Sequence, residues 1–329
     1  MDNDRVNRDR HGIGAASALR PHRGAVYHYT SASGLLAIVS SGQLRVSEAS
    51  SLNDLAEVQL GWTGIAEWLR ERPSDGARHL RGLMKQSRQD PSHQVFVLSG
   101  TTAGDDANQW RLYAAQGTGY AIELDGAVPL GVVSLRQDSR KHGETYGRAT
   151  DFAHVVPWFH VIYEEGELHK ALRRTVAFAD RELARIDSTE GDDETLEHLS
   201  EDLNERLMSE LAMIAHLYKS NGFRGEQEVR VVARFFWAGN HVDYHASSYG
   251  IAGHIHLIRD RESPQANRRV LPPPSMTDAH KPNFVHPLPI AGVRLGPLVH
   301  KGNKETVQAL LRSRGLRNAR VTRSKVPLR

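Results

Sequence analysis

Val26-Tyr27-His28-Tyr29-Thr30, running straight into Ser31 and the stretch Ala32 to Ser41, is the segment from which the fold is read. Aromatic and β-branched residues make the first part a short strand. Ser31 is placed to cap a helix whose Leu35, Leu36, Ile38 and Val39 supply an apolar face, and Gly42 ends it. Successive strand side chains alternate in direction, so one of His28 and Tyr29 faces the core and the other a cleft. The residues alone do not say which. A histidine at a strand end can donate to a sugar hydroxyl and a tyrosine can stack on a flat heterocycle, although a satisfied structural histidine is the commoner case.

Outward from this unit, Leu44 to Ser47 reads as extended, and the loop Ser50-Ser51-Leu52-Asn53-Asp54 leads to a helix through Leu60, Ile65 and Trp68, closed by Pro73 to Gly76. Gln94 to Ser99 is an apolar strand. Asp105 and Asp106 open a short helix carrying Gln109, Trp110, Arg111 and Tyr113, and Gly119 to Leu124 is the next strand. After a strand at Phe159 to Tyr163 come two long helices, about 167–186 and 193–220, expected to pack as a hairpin. Leu196, Leu199, Leu203, Leu207, Leu211 and Ile214 form a core stripe on the second. Glu228 to Phe236 alternates as a strand, with Val229, Val231, Ala233 and Phe235 on one face and Glu226, Glu228, Arg230 and Arg234 on the other. Strands at His254 to Ile258 and Ile290 to Leu295 flank an irregular loop, Asp260 to Asn283. The organisation expected is a flexible leader over 1–24 and a single α+β domain over 25–329, with a helical insertion at about 165–220.

A chain of 329 residues buries a sizeable core without staples. The absence of cysteine excludes a disulfide framework, thiolate catalysis and Cys-ligated zinc, and fits a reducing compartment. No apolar run suits a signal peptide or a membrane span, so a soluble cytoplasmic protein without membrane contact is expected. Net charge is only +3. Basic residues gather at Arg312, Arg314, Arg317, Arg320, Arg323, Lys325 and Arg329, and acids between Asp187 and Glu210; both read first as solvated faces.

Glu226 and Glu228, two apart on the expected strand, would project from one face. Such a pair can stabilise an oxocarbenium ion, one carboxylate facing the cationic carbon and the other orienting an acceptor. Taken alone, the segment is more simply a surface strand whose Glu228 and Arg230 pair across the sheet. His241-x-x-x-His245 and His254-x-His256 lack a convincing third ligand, so no metal is expected. Gly117-Thr118-Gly119 lacks the third glycine of a dinucleotide fingerprint and precedes a strand.

It is the order of segments that carries a resemblance: His28-Tyr29-Thr30-Ser31 before a helix ending Ser-Gly, Leu52-Asn53-Asp54 with Glu57, Gln109-Trp110-Arg111 with Tyr113, and Glu226-x-Glu228-x-Arg230. Ile290-x-x-Val293-x-Leu295-Gly296-Pro297 and Ser324-Lys325-Val326-Pro327 complete it. The chain resembles the domain-of-unknown-function 2971 family from about Tyr27 to the C-terminus, and that family distantly resembles ADP-ribosyltransferases of the His-Tyr-Glu type. The resemblance implies a split β-sheet core with flanking helices and NAD as a consumed substrate. In it His28 bonds the adenosine ribose beside Tyr29 and Thr30, Glu228 stabilises the ribosyl cation and Glu226 positions a nucleic-acid or protein acceptor. Tyr113, Trp110 and Tyr120 all remain open as the ring stacked on nicotinamide, with Tyr113 the choice. Arg111 would clamp the pyrophosphate, and Asn53 with Asp54 would shape the pocket. A toxin or phage-defence role, with a neutralising partner, would suit such an enzyme. Two alternatives stand beside it: a nucleotide- or nucleic-acid-binding module without turnover, and a nuclease using Glu226, Glu228 and Lys219 with a divalent metal.

Overall fold

The computed structural model describes residues 19–51, 55–87, 94–137, 144–148, 153–235, 242–247, 250–260 and 286–327. Asn53, Asp54, His241, Arg329, most of the leader and most of the 260–283 loop lie outside the described residues.

β3 (Gln94–Thr101) is the hub of a large open mixed sheet. One edge pairs antiparallel along its whole length with β9 (Glu228–Phe235), from Gln94 opposite Phe235 to Thr101 opposite Glu228. Its other edge is shared: β1 (Ala25–Thr30) pairs at Thr101, and β2 (Leu44–Glu48) pairs at Val97 and Phe96. Between those contacts, over 98–100, the sheet forks. Beyond β1 lie β4 (Tyr120–Asp125), β12 (Ile290–Leu295) and, parallel to β12, β13 (Arg320–Arg323). Beyond β2 lie β11 (Gly250–Arg259), β5 (Leu130–Gln137) and β6 (Glu144–Arg148), with β10 (Asp243–Ser247) also on β11. Two short strands, β7 (Ala153–Val155) and β8 (Phe159–His160), pair with the outer edge of β9.

Helix α1 (Ala32–Ser41) starts as expected: Ser31 Oγ accepts from Gly34 N at 3.1 Å, and Gly42 ends the helix at φ +67°. Gly42 is needed there because that backbone region disfavours a side chain. The helical hairpin also forms, as α5 (Glu165–Asp187) and α6 (Asp193–Leu217), packing on α2 (Leu55–Arg70) and α3 (Asp75–Ser87). Two cores result. Val229, Val231, Ala233 and Phe235 of β9 join one with Phe96, Ile122 and α7 (Asn303–Ser313), while Val232 joins the core of the hairpin.

Several expectations are corrected. The chain from Leu19 to Gly24 is not leader: Leu19 is buried in the hairpin core, His22 N donates to Trp158 O at 2.7 Å, and His160 N donates to Arg20 O at 3.0 Å. α2 closes before Pro73 as expected, at Arg70, but a further, unexpected helix, α3, starts at Asp75 with Ala77, Leu80, Leu83 and Met84 buried at helical spacing. The last strand of the candidate site starts at Glu228; Glu226 closes a 3-10 turn (Asn221–Glu226) instead. No helix among the described residues is long and apolar enough to cross a membrane.

Candidate active site at the sheet fork

β1 resolves the direction of its two central side chains. Tyr29 is buried, its ring edge-on to Trp110 at 4.7 Å; its hydroxyl donates to Ala103 O at 2.9 Å and accepts from Asp106 N at 3.3 Å. It therefore fixes the start of α4 (Ala107–Tyr113), whose cap, Asp106, accepts from Asn108 N and Gln109 N. Thr30 is likewise structural, since a Cβ on Gly34 would fall 2.0 Å from its Oγ1. His28 is the half-buried partner, and its Nδ1 lies 3.2 Å from Ser99 O, inside the fork. A carbonyl only accepts, so Nδ1 carries the proton. Burial holds the imidazole below its usual range, outweighing the Ser99 bond that raises it. Neutral His28 thus presents an Nε2 lone pair, which accepts from a hydroxyl; the expectation that it donates is reversed.

Across β3, all eight residues of β9 are buried, so the surface-strand reading of Glu228 and Arg230 fails. Helix α6 covers that face, and its end supplies the neutralising groups. Arg230 Nε donates to Glu228 Oε1 at 2.7 Å and Nη2 to Oε2 at 3.0 Å, while Nη1 donates to His216 O at 2.7 Å. Lys219 Nζ bridges the two carboxylates, 2.7 Å from Glu226 Oε2 and 3.2 Å from Glu228 Oε2. Burial pushes the Glu228 carboxyl up, but Arg230, Lys219 and a bond from the Ser99 hydroxyl together hold it below the ordinary carboxylate range. β3 therefore lies against both candidates, meeting His28 through the Ser99 carbonyl and pairing with Glu228 at Thr101.

Glu226 is held from a different direction. Gln227 takes the left-handed conformation (φ +47°), which breaks the alternation and turns Glu226 out of the strand. Its carbonyl accepts from Thr101 Oγ1 at 2.7 Å and Gln109 Nε2 at 3.3 Å. Its second carboxylate oxygen accepts from Tyr113 Oη at 2.8 Å. Burial and the neighbouring Glu226 charge both push the Tyr113 phenol up, so it stays protonated and donates. Among the three candidate stacking rings Trp110 and Tyr120 are buried, and Tyr113 is 48% exposed. Arg111 is exposed on the same short helix.

Sequence reasoning missed Ser99, Thr101 and Phe223, the last 41% exposed with the Lys219 ammonium 4.5 Å from its ring centre. The C-terminal motif also gains a reason: Ser324 Oγ and Lys325 N donate to Asp105, which also accepts from Trp110 Nε1 at 2.8 Å, so the tail steadies α4. The basic tail is partly committed, with Arg320 paired to Glu123 and Arg323 donating to the carbonyls of Pro297 and Val299. A cavity of about 380 Å³ lies elsewhere, lined by Trp68, Arg72, Arg173 and Asp180. His254-x-His256 does find a third neighbour of ligand type, Asp243.

No curated protein and no solved structure matches the chain. Residues 109–231, from α4 into β9 and so through Tyr113, Lys219, Glu226, Glu228 and Arg230, match the family model described as Protein of unknown function (DUF2971).

Proposed function

We propose that the chain breaks the nicotinamide glycosidic bond of NAD and passes ADP-ribose to a macromolecular acceptor, nucleic acid or protein. The observation that carries the reading is that β3 brings His28 and Glu228 to neighbouring positions although they lie far apart in sequence: His28 Nδ1 meets the Ser99 carbonyl at 3.2 Å, and Glu228 stands opposite Thr101, two residues on. In the reaction the C1′–N bond breaks, its electron pair leaves with nicotinamide, and a ribosyl cation remains. The acceptor's lone pair then attacks C1′ and its proton passes to a carboxylate. Glu226 suits that contact with the reacting atoms better than Glu228. Its side chain is 15% exposed, it pairs with the Lys219 ammonium at 2.7 Å, and it accepts from the hydroxyl of the exposed Tyr113. Glu228, enclosed by Arg230, Lys219 and Ser99, acts through Lys219 as a positioning residue. His28 Nε2 accepts from a ribose hydroxyl, and Arg111 meets the pyrophosphate.

The test is nicotinamide release from NAD by purified protein offered nucleic-acid and protein acceptors. Glu226→Gln should lower kcat by about two to three orders of magnitude, the cost of removing one fixed charge aimed at the transition state. No release with either acceptor class by the wild-type protein sinks the reading. The fully partnered state of Glu228 favours a second reading, a site that holds a nucleotide without turnover; it predicts a thermal shift with NAD and no nicotinamide. The metal-dependent nuclease is disfavoured, because the Lys219 ammonium stands between the carboxylates where the ion would bind.

A further inference from the structure

The β10–β11 hairpin carries a second cluster, none of whose members belongs to the site at the fork. His254 stands opposite Asp243 in the ladder, and His245 and His256 are each two residues further along, so all four side chains share one face. One ligand atom from each of Asp243, His254 and His256 lies within 4.8 Å of the other two. Nδ1 of His245 is 3.2 Å from Nδ1 of His254, which leaves Nε2 of His254 without that partner.

His256 is the telling member. Its Nδ1 is buried with no hydrogen-bond partner among the described residues, and its Nε2 sits 3.5 Å from Asp243 Oδ2, too long for a good hydrogen bond. A half-buried imidazole whose buried nitrogen has no partner is costly, and imidazole is the commonest metal ligand. A tetrahedral ion with bonds of about 2.0–2.1 Å sets its ligand atoms about 3.4 Å apart. The Asp243–His256 pair is already there, and the rest of the cluster reaches it by closing at most about 1.4 Å, within side-chain adjustment. Arg45, the register partner of His256 on β2, opposes a cation, but it is exposed and so screened by water and salt.

We propose that Asp243, His254 and His256 bind a divalent transition-metal ion of the Zn²⁺ or Co²⁺ class, with His245 hydrogen-bonded to His254 as its orienting neighbour. Two imidazoles and a carboxylate suit such ions, and three protein ligands leave a position for water or an exogenous group. The site is independent of the NAD reading, because none of its residues belongs to the fork.

Tag-free, chelator-treated protein is titrated with Co²⁺ and read by its visible d–d absorption, then back-titrated with Zn²⁺. One equivalent of Co²⁺ bound with tetrahedral or five-coordinate bands, displaced by Zn²⁺, is expected, together with a raised Tm in excess Zn²⁺. His254→Ala and His256→Ala should each abolish the bands, and His245→Ala should weaken binding about 10–100-fold. His198→Ala, a surface histidine, should change nothing. A wild-type protein with no bands and no Zn²⁺-induced Tm shift overturns the proposal whatever the variants do. So does a His254→Ala/His256→Ala double variant that folds by circular dichroism and binds as wild type.

Discussion

On β9, Glu228 and Arg230 stand two residues apart and meet; on β11, His254 and His256 stand two apart with ring centres 5.0 Å from each other, each turned to something else. The first pair is completed by elements arriving from elsewhere: the end of α6 brings Lys219 and the His216 carbonyl, and β3 brings Ser99. The hairpin draws on strands alone, β10 beside it and β2 and β5 along its edges. Both clusters use the same period-two placement. Convergence of a helix end onto a strand saturates polar groups, whereas a hairpin face leaves capacity for a ligand. The saturated cluster can hold other groups in place, and the open one can bind.

The sharpest way to break this contrast is to unsaturate the first cluster. Arg230→Ala leaves Glu228 charged and buried with only Lys219 as counterion, so unfolding stability should fall by about 3–5 kcal/mol, read from urea melts at pH 7. A loss under 1 kcal/mol would mean that water reaches the site. Acid attacks the same neighbourhood through His216, whose pKa burial lowers to about 4, partly offset by the bond to Ala212 O and reinforced by Arg230. Its folded pKa lies below the unfolded value of about 6.5, so the contribution is fully present above pH 6.5 and is lost as pH falls through 4. Over that window it amounts to at most about 3 kcal/mol. His216→Leu should flatten the wild-type decline between those pH values. Below them Glu228 adds its own loss, since a depressed carboxyl stabilises only while ionised.

Smaller in effect is Glu226→Gln, which keeps the shape but removes a charge held by Lys219 and Tyr113 at the protein's edge. About 1–2 kcal/mol should be lost, and the Tyr113 phenol should titrate lower by ultraviolet absorbance. The same substitution serves the transferase reading, so stability and nicotinamide release are measured on one variant.

Local signals were legible. Ser31 reads as a cap from residue type and spacing and accepts the expected amide, and Asp105-Asp106 reads as a helix start, where Asp106 proves to be the cap. The α5–α6 hairpin followed from leucine periodicity, and the β9 apolar face from strict alternation. What stayed hidden was tertiary. Nothing in Glu228-Val229-Arg230 shows that α6 will cover its polar face, and so the strand passes for a surface one. Gln227 carries no glycine signal, yet its positive φ is what takes Glu226 out of the strand. Lys219 joins the site only because a 3-10 turn folds seven residues of chain back on it. The third neighbour of His254-x-His256 was concealed in Asp243-Tyr244-His245-Ala246-Ser247, which is too polar to read as a strand until β11 pairs with it.

His256→Leu should have the smallest effect, and it tests the open half of the comparison. Removing a side chain whose nitrogens have no good partner forfeits no hydrogen bond, and an apolar group of similar size replaces a half-buried polar one. In chelator the variant should therefore melt within about 1 kcal/mol of wild type, on either side of it. A much larger loss would show that the imidazole is satisfied within the protein and needs no ion. In excess Zn²⁺ the two proteins should separate, the wild type gaining stability by linkage and the variant not. The same substitution is thus silent without metal and visible with it, a pattern that a merely structural histidine does not produce.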